Sequence, residues 1–253
     1  MDVDEQKAYR RFLKDTIRQE IDFRRTDQSR GVPAPPLQKT ASADAERVDL
    51  PAPDKGFKMP PMPLSQAIGR RRSRRTYSGS PLTLEELAWL LWATQGIRGR
   101  PVHGHAYRTV PSAGCRHALE TYLGVLKVQD LRPGIYRYLP LEHQLVFERT
   151  DDHLASRLAA AALGQPYPGK AAVTFIWTTI PYRMEWRYDL AAHKVIALDA
   201  GHVCQNLYLA CEAVDAGTCA IAAYDQERMD RLLGVDGSEE FTVYLASVGK
   251  IAE

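Results

Sequence analysis

Hydrophobic positions are densest between Val195 and Ala216, which read VIALDAGHVCQNLYLACEAVDA. The stretch is long enough for about six helical turns at roughly 3.6 residues each. Apolar residues recur at Val195, Leu198, Val203, Leu207, Ala210, Cys211 and Val214, and others fill the gaps. A helix apolar nearly all round is predicted to be buried. Asp199, His202, Gln205, Asn206, Glu212 and Asp215 interrupt the run, which argues against a membrane span of about 20 mostly apolar residues. The pattern predicts the core helix of a soluble domain. Asp199, His202 and Asn206 share one stripe and are expected to meet buried polar partners, because an unpaired buried polar group is costly.

Shorter patterns supply the other elements. Tyr9 to Arg25 reads as a charged amphipathic helix with Phe12, Leu13, Ile17, Ile21 and Phe23 on its apolar side. Half of the chain's 16 prolines then fall between Pro33 and Pro63, which predicts an extended arm. Leu37, Val48, Leu50, Phe57 and Met59 suggest that the arm lies on a surface. Leu64 to Arg71 reads as a short helix. Thr83-Leu-Glu-Glu86 is a capping box that opens a helix ending at Gly96. Thr121 to Val128 reads as a strand, and Gly134 to Tyr138 with Gln144 to Arg149 as a hairpin. A helix capped at Asp151-Asp152 runs to Ala162, a buried strand follows at Ala171 to Thr179, and Pro181 closes it. Arg183 to Asp189, RMEWRYD, reads as a loop that could form a lid. The last elements are a strand at Gly217 to Ala223, a helix N-capped by Asp225, and a strand at Phe241 to Val248. Strands and helices mix without βαβ alternation, so the fold class is α+β with a mostly antiparallel sheet around a long buried central helix. Residues 1–63 form an N-terminal helix and proline-rich arm, and residues 64–253 form one domain.

Composition narrows the function. Of the 253 residues, 45% are hydrophobic and 25% charged, an ordinary globular balance. A net charge of +2 argues against a protein that coats nucleic acid. The charged first twenty residues contain no apolar signal segment, so a cytoplasmic protein without membrane partners is expected. Cys115, Cys204, Cys211 and Cys219 form no CxxC pair and read as small buried hydrophobes. His103 and His105 have no nearby carboxylate or thiol and read as a polar loop, so no metal is expected.

Two stretches carry chemistry. Arg70, Arg71, Arg72, Arg74 and Arg75 surround Ser73 in RRRSRRTY. A short basic cluster can mark nucleic-acid affinity, in which case this would be a non-enzymatic binding module using Arg70 to Arg75. It can equally cradle a phosphate, since arginine binds phosphate bidentately and a serine hydroxyl donates beside it. The position between two helices favours the cradle. Pro111-Ser-Ala-Gly114 is a loop of small residues that lets a backbone approach a flat ligand.

Four segments together resemble the nitroreductase superfamily of FMN-dependent oxidoreductases, and more narrowly its SagB-type dehydrogenase branch. They are RRRSRRTY (70–77), LLWATQGIRG (90–99), PSAGCRHALETYL (111–123) and LDAGHVCQNLYLACEAVDAGTCAIAAYD (198–225). The resemblance implies a nitroreductase-like, domain-swapped-style homodimer with FMN at the subunit interface. It implies that Arg71, Arg72 and Ser73 hold the phosphate and ribityl chain, and that Arg75 lies near the pyrimidine edge of the flavin. Pro111, Ser112 and Ala113 would touch the flavin of the other subunit, Ala222 and Ala223 would lie near N5, and Lys250 would reach the phosphate. Cys115 stands where many relatives have an asparagine, and Ala222-Ala223 replaces a glutamate-glycine pair. Arg187-Tyr188 occupies the place of the lysine–tyrosine pair of azoline-oxidising relatives and is the candidate catalytic pair. The implied activity is hydride transfer through flavin N5 between a reduced donor, NAD(P)H among the candidates, and a small-molecule acceptor. The alternative is azoline-to-azole dehydrogenation of a modified peptide.

Overall fold

The protein's structure, a computed structural model, describes residues 3–52, 56–101 and 104–251. The His103 half of the His103–His105 pair lies outside the described residues. Seven strands form one sheet: β1 (Arg47–Asp49), β2 (Leu119–Val125), β3 (Gly134–Leu139), β4 (Gln144–Arg149), β5 (Val173–Thr179), β6 (Ala216–Ile221) and β7 (Phe241–Lys250). Their order is β1-β4-β3-β2-β5-β7-β6, and every paired set is antiparallel. Every residue of β2, β3 and β5 is buried, so helices cover both faces.

Side chains alternate across a strand, and the alternation divides the core in two. Leu123, Phe175 and Trp177 point to one layer, where they meet α3 (Leu84–Gln95) and α6 (Ala192–Glu212). Tyr122, Ile176 and Leu245 point to the other, against α4 (Leu154–Ala161) and α7 (Gln226–Leu233). Local signals set the ends of these helices. Thr83 Oγ1 accepts from Glu86 N at 3.1 Å, and Glu86 Oε2 accepts from Thr83 N at 2.9 Å, completing the capping box of α3. Asp225 caps α7 through Arg228 N. The short helix before the arginine cluster is α2 (Leu64–Arg70).

Four expectations need correction. The core helix begins at Ala192 and stops at Glu212, because β6 starts at Ala216 and the chain must reverse within three residues. Asp215 takes φ +47° in that reversal, a conformation aspartate tolerates better than most residues. The helix is also not buried all round. Ala197, Leu198, Gly201, His202 and Gln205 form an open stripe, and Leu198 is 54% exposed. His202 thus faces solvent rather than a buried partner, whereas Asp199 and Asn206 are partnered as expected. RMEWRYD is not a loop but helix α5 (Tyr182–Tyr188), started by Pro181 at φ −55°.

The predicted helix over Tyr9 to Arg25 is broken. Helix α1 (Val3–Arg10) is followed by 3₁₀ turns at Arg11–Leu13, Thr16–Gln19 and Phe23–Arg25. None of these turns buries a residue, so no packing stabilises a long helix there. The arm that follows does lie on the protein. It contributes β1, which sequence patterning missed, and buries Leu50, and it sets Phe57 edge-on to Trp89 at 5.5 Å.

Where the arm crosses the sheet, charges are buried and paired. Glu120 and Arg183 are 2.6 Å apart with side chains 2% and 3% exposed. Lys39 N donates to Glu120 at 2.7 Å, and Arg137 donates to Lys39 O and Thr40 O. Lys39 Nζ bonds Glu240 at 2.5 Å. His117 lies beside Arg108, Arg116 and Arg183. Burial first, and then these three cations, push its pKa down to about 2, so it is neutral. Glu120→Ala is expected to cost about 3–5 kcal/mol, because it strands a buried Arg183. Denaturant unfolding checks this: a loss under about 1 kcal/mol would mean that the pair is solvated and does not clamp the arm.

Candidate functional site

The arginine cluster is placed by the edge of the sheet. Beyond α2 the chain runs extended, and Ser73 forms a parallel bridge with Thr218 of β6, with Arg74 N donating to Thr218 O at 2.9 Å. Gly217 permits this approach, since a Cβ there would stand 2.6 Å from Arg74 Cδ. Tyr77 fixes the far end. Its ring leaves no room for a Cβ at Gly249, and its hydroxyl bonds Ser247 Oγ at 2.7 Å.

Tyr208 ties the cluster to the central helix. Its hydroxyl pairs with Ser73 Oγ at 2.8 Å and accepts from Ala220 N at 2.9 Å. The Arg71 guanidinium lies over its ring at 5.3 Å. Tyr208 was not singled out from the sequence, where its spacing matches that of an ordinary core aromatic. The five arginines divide by partner. Arg70 approaches Glu212 at 3.7 Å, and Arg74 is drawn in against β6 with its buried Nε unbonded. Among the described residues, Arg71, Arg72 and Arg75 have no carboxylate within ion-pair distance. Arg75 instead sits over the Tyr167 ring at 5.8 Å.

Lys250, at the end of β7, donates to Glu86 Oε1 and to Val214 O, each at 2.6 Å. Two of its three donors are therefore engaged within the chain. Ala222 and Ala223 are exposed where β6 ends. Ala222 lines a cavity of about 570 Å³ with Gly201, Tyr224, Gln226 and Tyr244 among its walls. That volume lies within the range of roughly 300–1,000 Å³ typical of small-ligand pockets.

Pro111, Ser112 and Ala113 form a second cluster. Ser112 Oγ accepts from His117 N at 2.9 Å, and Ala113 N donates to Asp199 Oδ1 at 3.3 Å. Asp199 Oδ2 is buried without a partner, and burial raises the carboxyl's pKa. Gly114 has φ +56°, and a Cβ there would meet Tyr188 Oη at 2.6 Å and Arg187 Cδ at 2.9 Å. Arg187 and Tyr188 thus join this loop, with the Arg187 guanidinium over the Tyr188 ring at 5.5 Å. Cys115 takes φ +58°, and its Sγ lies 3.6 Å from His117 Nε2. The other cysteines are buried, as expected, and burial pushes Cys204 up to about 12.

The two clusters are separate within one chain. Asp199 and Tyr208, their contacts on α6, are nine positions apart, or about 13.5 Å along a helix rising roughly 1.5 Å per residue. No described helix is long and apolar enough to cross a membrane.

Comparison with known proteins shows the family and the fold. The family model described as the nitroreductase family matches residues 68–250. A candidate nitroreductase of Methanocaldococcus jannaschii is 32% identical over 190 residues, which cover 75% of this chain and 92% of the relative. The crystal structure of a candidate nitroreductase from Ralstonia eutropha superposes with a TM-score of 0.68 at 24% identity, over 87% of this chain and 99% of that one. A chain of the Escherichia coli microcin synthetase complex, solved with a truncated precursor bound, superposes with a TM-score of 0.61 at 16% identity, over 85% of this chain and 79% of that one. With a family match over most of its length and a fold to agree, this chain belongs to the nitroreductase family.

Proposed function

We propose that the protein is an FMN-dependent oxidoreductase that works as a homodimer, within or near the SagB-type branch. The observation that carries this is the set of unpaired guanidinium groups of Arg71, Arg72 and Arg75 beside the Ser73 hydroxyl. Uncompensated cations held by packed backbone suit a phosphate, which arginine binds through paired hydrogen bonds. The cavity at Ala222 has room for a flat ring. Bound FMN would supply hydride chemistry, and the chain would supply position and electrostatics.

Each residue then has a task. Arg71, Arg72 and Ser73 hold the phosphate and ribityl chain, and the remaining donor of Lys250 adds to them. Arg75 places a fixed positive charge at the pyrimidine edge, where it would stabilise negative charge and raise the reduction potential. The backbone at Ala222 and Ala223 positions the ring. Pro111, Ser112 and Ala113 serve the site of a second copy, which fits their distance from the arginine cluster in their own chain. The open stripe of Ala197, Leu198 and Gly201 gives that copy an apolar face of small side chains. Tyr188 can donate a hydrogen bond to a carbonyl-like acceptor, and Arg187 can attract an anionic one. A reduced nicotinamide suits the role of donor.

The first expected outcome is a yellow dimer. Heat-released flavin should co-elute with FMN, and sizing should give twice the chain mass. A colourless monomer that takes up no added FMN would sink the proposal.

The second concerns the cradle. Arg71→Ala should weaken FMN binding by roughly 10- to 100-fold, the worth of a charge-assisted contact of about 1.5–3 kcal/mol. Tyr208→Phe should also weaken it, because Ser73 loses its hydroxyl partner. Riboflavin, which keeps the ribityl chain but lacks the phosphate, should lose less affinity than FMN in both variants. Equal losses for FMN and riboflavin would show that these residues do not read phosphate.

The third addresses azoline oxidation of a modified peptide. That reaction needs a base for a carbon-bound proton, and a base works best with a pKa near the working pH. Arginine stays protonated above about pH 12, so Arg187 cannot serve. Native protein should therefore leave a thiazoline peptide unoxidised, while Arg187→Lys restores a group that burial can tune. Azole absorbance in native, Arg187→Lys and Tyr188→Phe proteins reports this, and ready turnover by the native protein contradicts it.

A further inference from the structure

The family-matched region ends short of one residue that lines the cavity at Ala222. Every other lining residue lies between Thr179 and Tyr244, whereas Phe12 comes from the N-terminal segment. Phe12 is carried on the 3₁₀ turn Arg11–Leu13, which buries nothing, and its side chain is 50% exposed. One part of the ring therefore contributes to the cavity wall and the rest meets solvent.

The segment is held unevenly. At residues 27–32 it is bonded to α5: Gln28 N donates to Trp186 O and Trp186 Nε1 to Val32 O, both at 2.9 Å, and Tyr182 Oη donates to Asp27 at 2.8 Å. Nearer Phe12 the contacts are looser. Asp15 reaches Lys194 at 4.0 Å, and the Arg18 guanidinium lies over the Tyr188 ring at 5.9 Å. Exposed ion pairs of this kind contribute little. The segment is thus anchored beside α5 and lightly held at the end that bears Phe12. The cavity that Phe12 helps to line is chiefly apolar and aromatic, with Tyr224, Phe241 and Tyr244 on its walls and Ala200 and Gly201 on its helical side.

We infer that Phe12 is a specificity-determining residue: it sets how large a flat, uncharged aromatic acceptor can enter the cavity at Ala222. The inference rests on the flavin reading above, since that reading makes the cavity the place where an acceptor meets the cofactor. It concerns a side chain outside the family-matched region, so relatives without this segment would lack the filter.

The test uses FMN-loaded native protein, Phe12→Ala and Phe12→Trp. Because Phe12 is half-exposed and on a 3₁₀ turn, both variants should fold. Dissociation constants for benzamide and for anthracene-9-carboxamide, which are redox-inert one-ring and three-ring probes, are read from perturbation of the flavin spectrum. Phe12→Ala should shift the ratio of the two constants toward the three-ring probe on the order of tenfold, a pocket-size effect, and Phe12→Trp should shift it the other way. The rates at which benzoquinone and phenanthrenequinone reoxidise dithionite-reduced holoprotein should change in the same sense. In that step two electrons and two protons pass from reduced flavin to the quinone, giving the hydroquinone. A native protein that takes up no FMN overturns the flavin reading. If FMN binds and the probe ratio is the same in all three proteins, only the role of Phe12 falls. It falls equally if Phe12→Ala weakens FMN as much as the probes, because the ring would then be packing on the cofactor itself.

Discussion

An edge strand leaves a row of backbone donors and acceptors without partners, and the way β6 satisfies its own decides where the arginine charges go. The segment after α2 lies along β6, giving the Ser73–Thr218 bridge and the Arg74 N to Thr218 O bond. Covering the edge also separates Arg74 from its neighbours. Arg74 is drawn in against Gly217, while Arg72 and Arg75 are exposed and Arg71 is half-buried over the Tyr208 ring. Tyr208 makes the arrangement rigid, because one hydroxyl serves both the edge strand and the serine. Much of the candidate site thus follows from a need that every open sheet has.

The treatment of charge elsewhere sharpens the contrast. Around the crossing of the arm, each buried cation has a partner of opposite charge or a ring or carbonyl beside it. Arg183 has Glu120, Arg137 has Glu148, Arg108 has Gln95 and Leu37 O, and Arg116 lies over Trp186 at 4.7 Å. Each of these buried guanidinium groups thus has at least one partner, although Arg108 Nε and Arg183 Nη1 are left without a hydrogen bond. Among the described residues, Arg71, Arg72 and Arg75 have no carboxylate partner, and what sets them apart from other surface cations is that they stand together on one edge beside a serine held in place, the feature on which the proposed anion cradle rests.

Much of this was legible from the residues alone. The capping box at Thr83, the N-cap at Asp225 and the hairpin depend on neighbours in sequence, and they appear where local chemistry puts them. The arginine–serine box and the PSAG loop were legible as motifs, although only their joint occurrence pointed to a family. Other features depend on distant partners. A 3.6-residue pattern over Tyr9 to Arg25 could not reveal that nothing packs on that face. Three residues at Arg47 to Asp49 become a strand only because β4 offers an edge. Leu198 looks like core in the sequence and faces outward in the fold, because the chain covers only one side of its central helix. The resemblance assigns Lys250 to a phosphate, and only the fold brings Glu86 and Val214 O within 2.6 Å of it.

Glu86 shows how tightly these features are joined. One carboxylate caps α3 through Thr83 N and holds Lys250 at the end of β7. Lys250 in turn bonds Val214 O, in the reversal that leads from α6 into β6. The edge strand that carries the arginine segment is therefore fixed at its start by an ion pair with another helix's cap, and near its end by Tyr208 from α6. The arginine cluster rests on these two clamps rather than on its own contacts. Among the described residues, the turn bearing Phe12 has no comparable clamp to the rest of the chain, so on the proposed flavin reading the cofactor would meet the firmly held edge and an acceptor the lightly held segment.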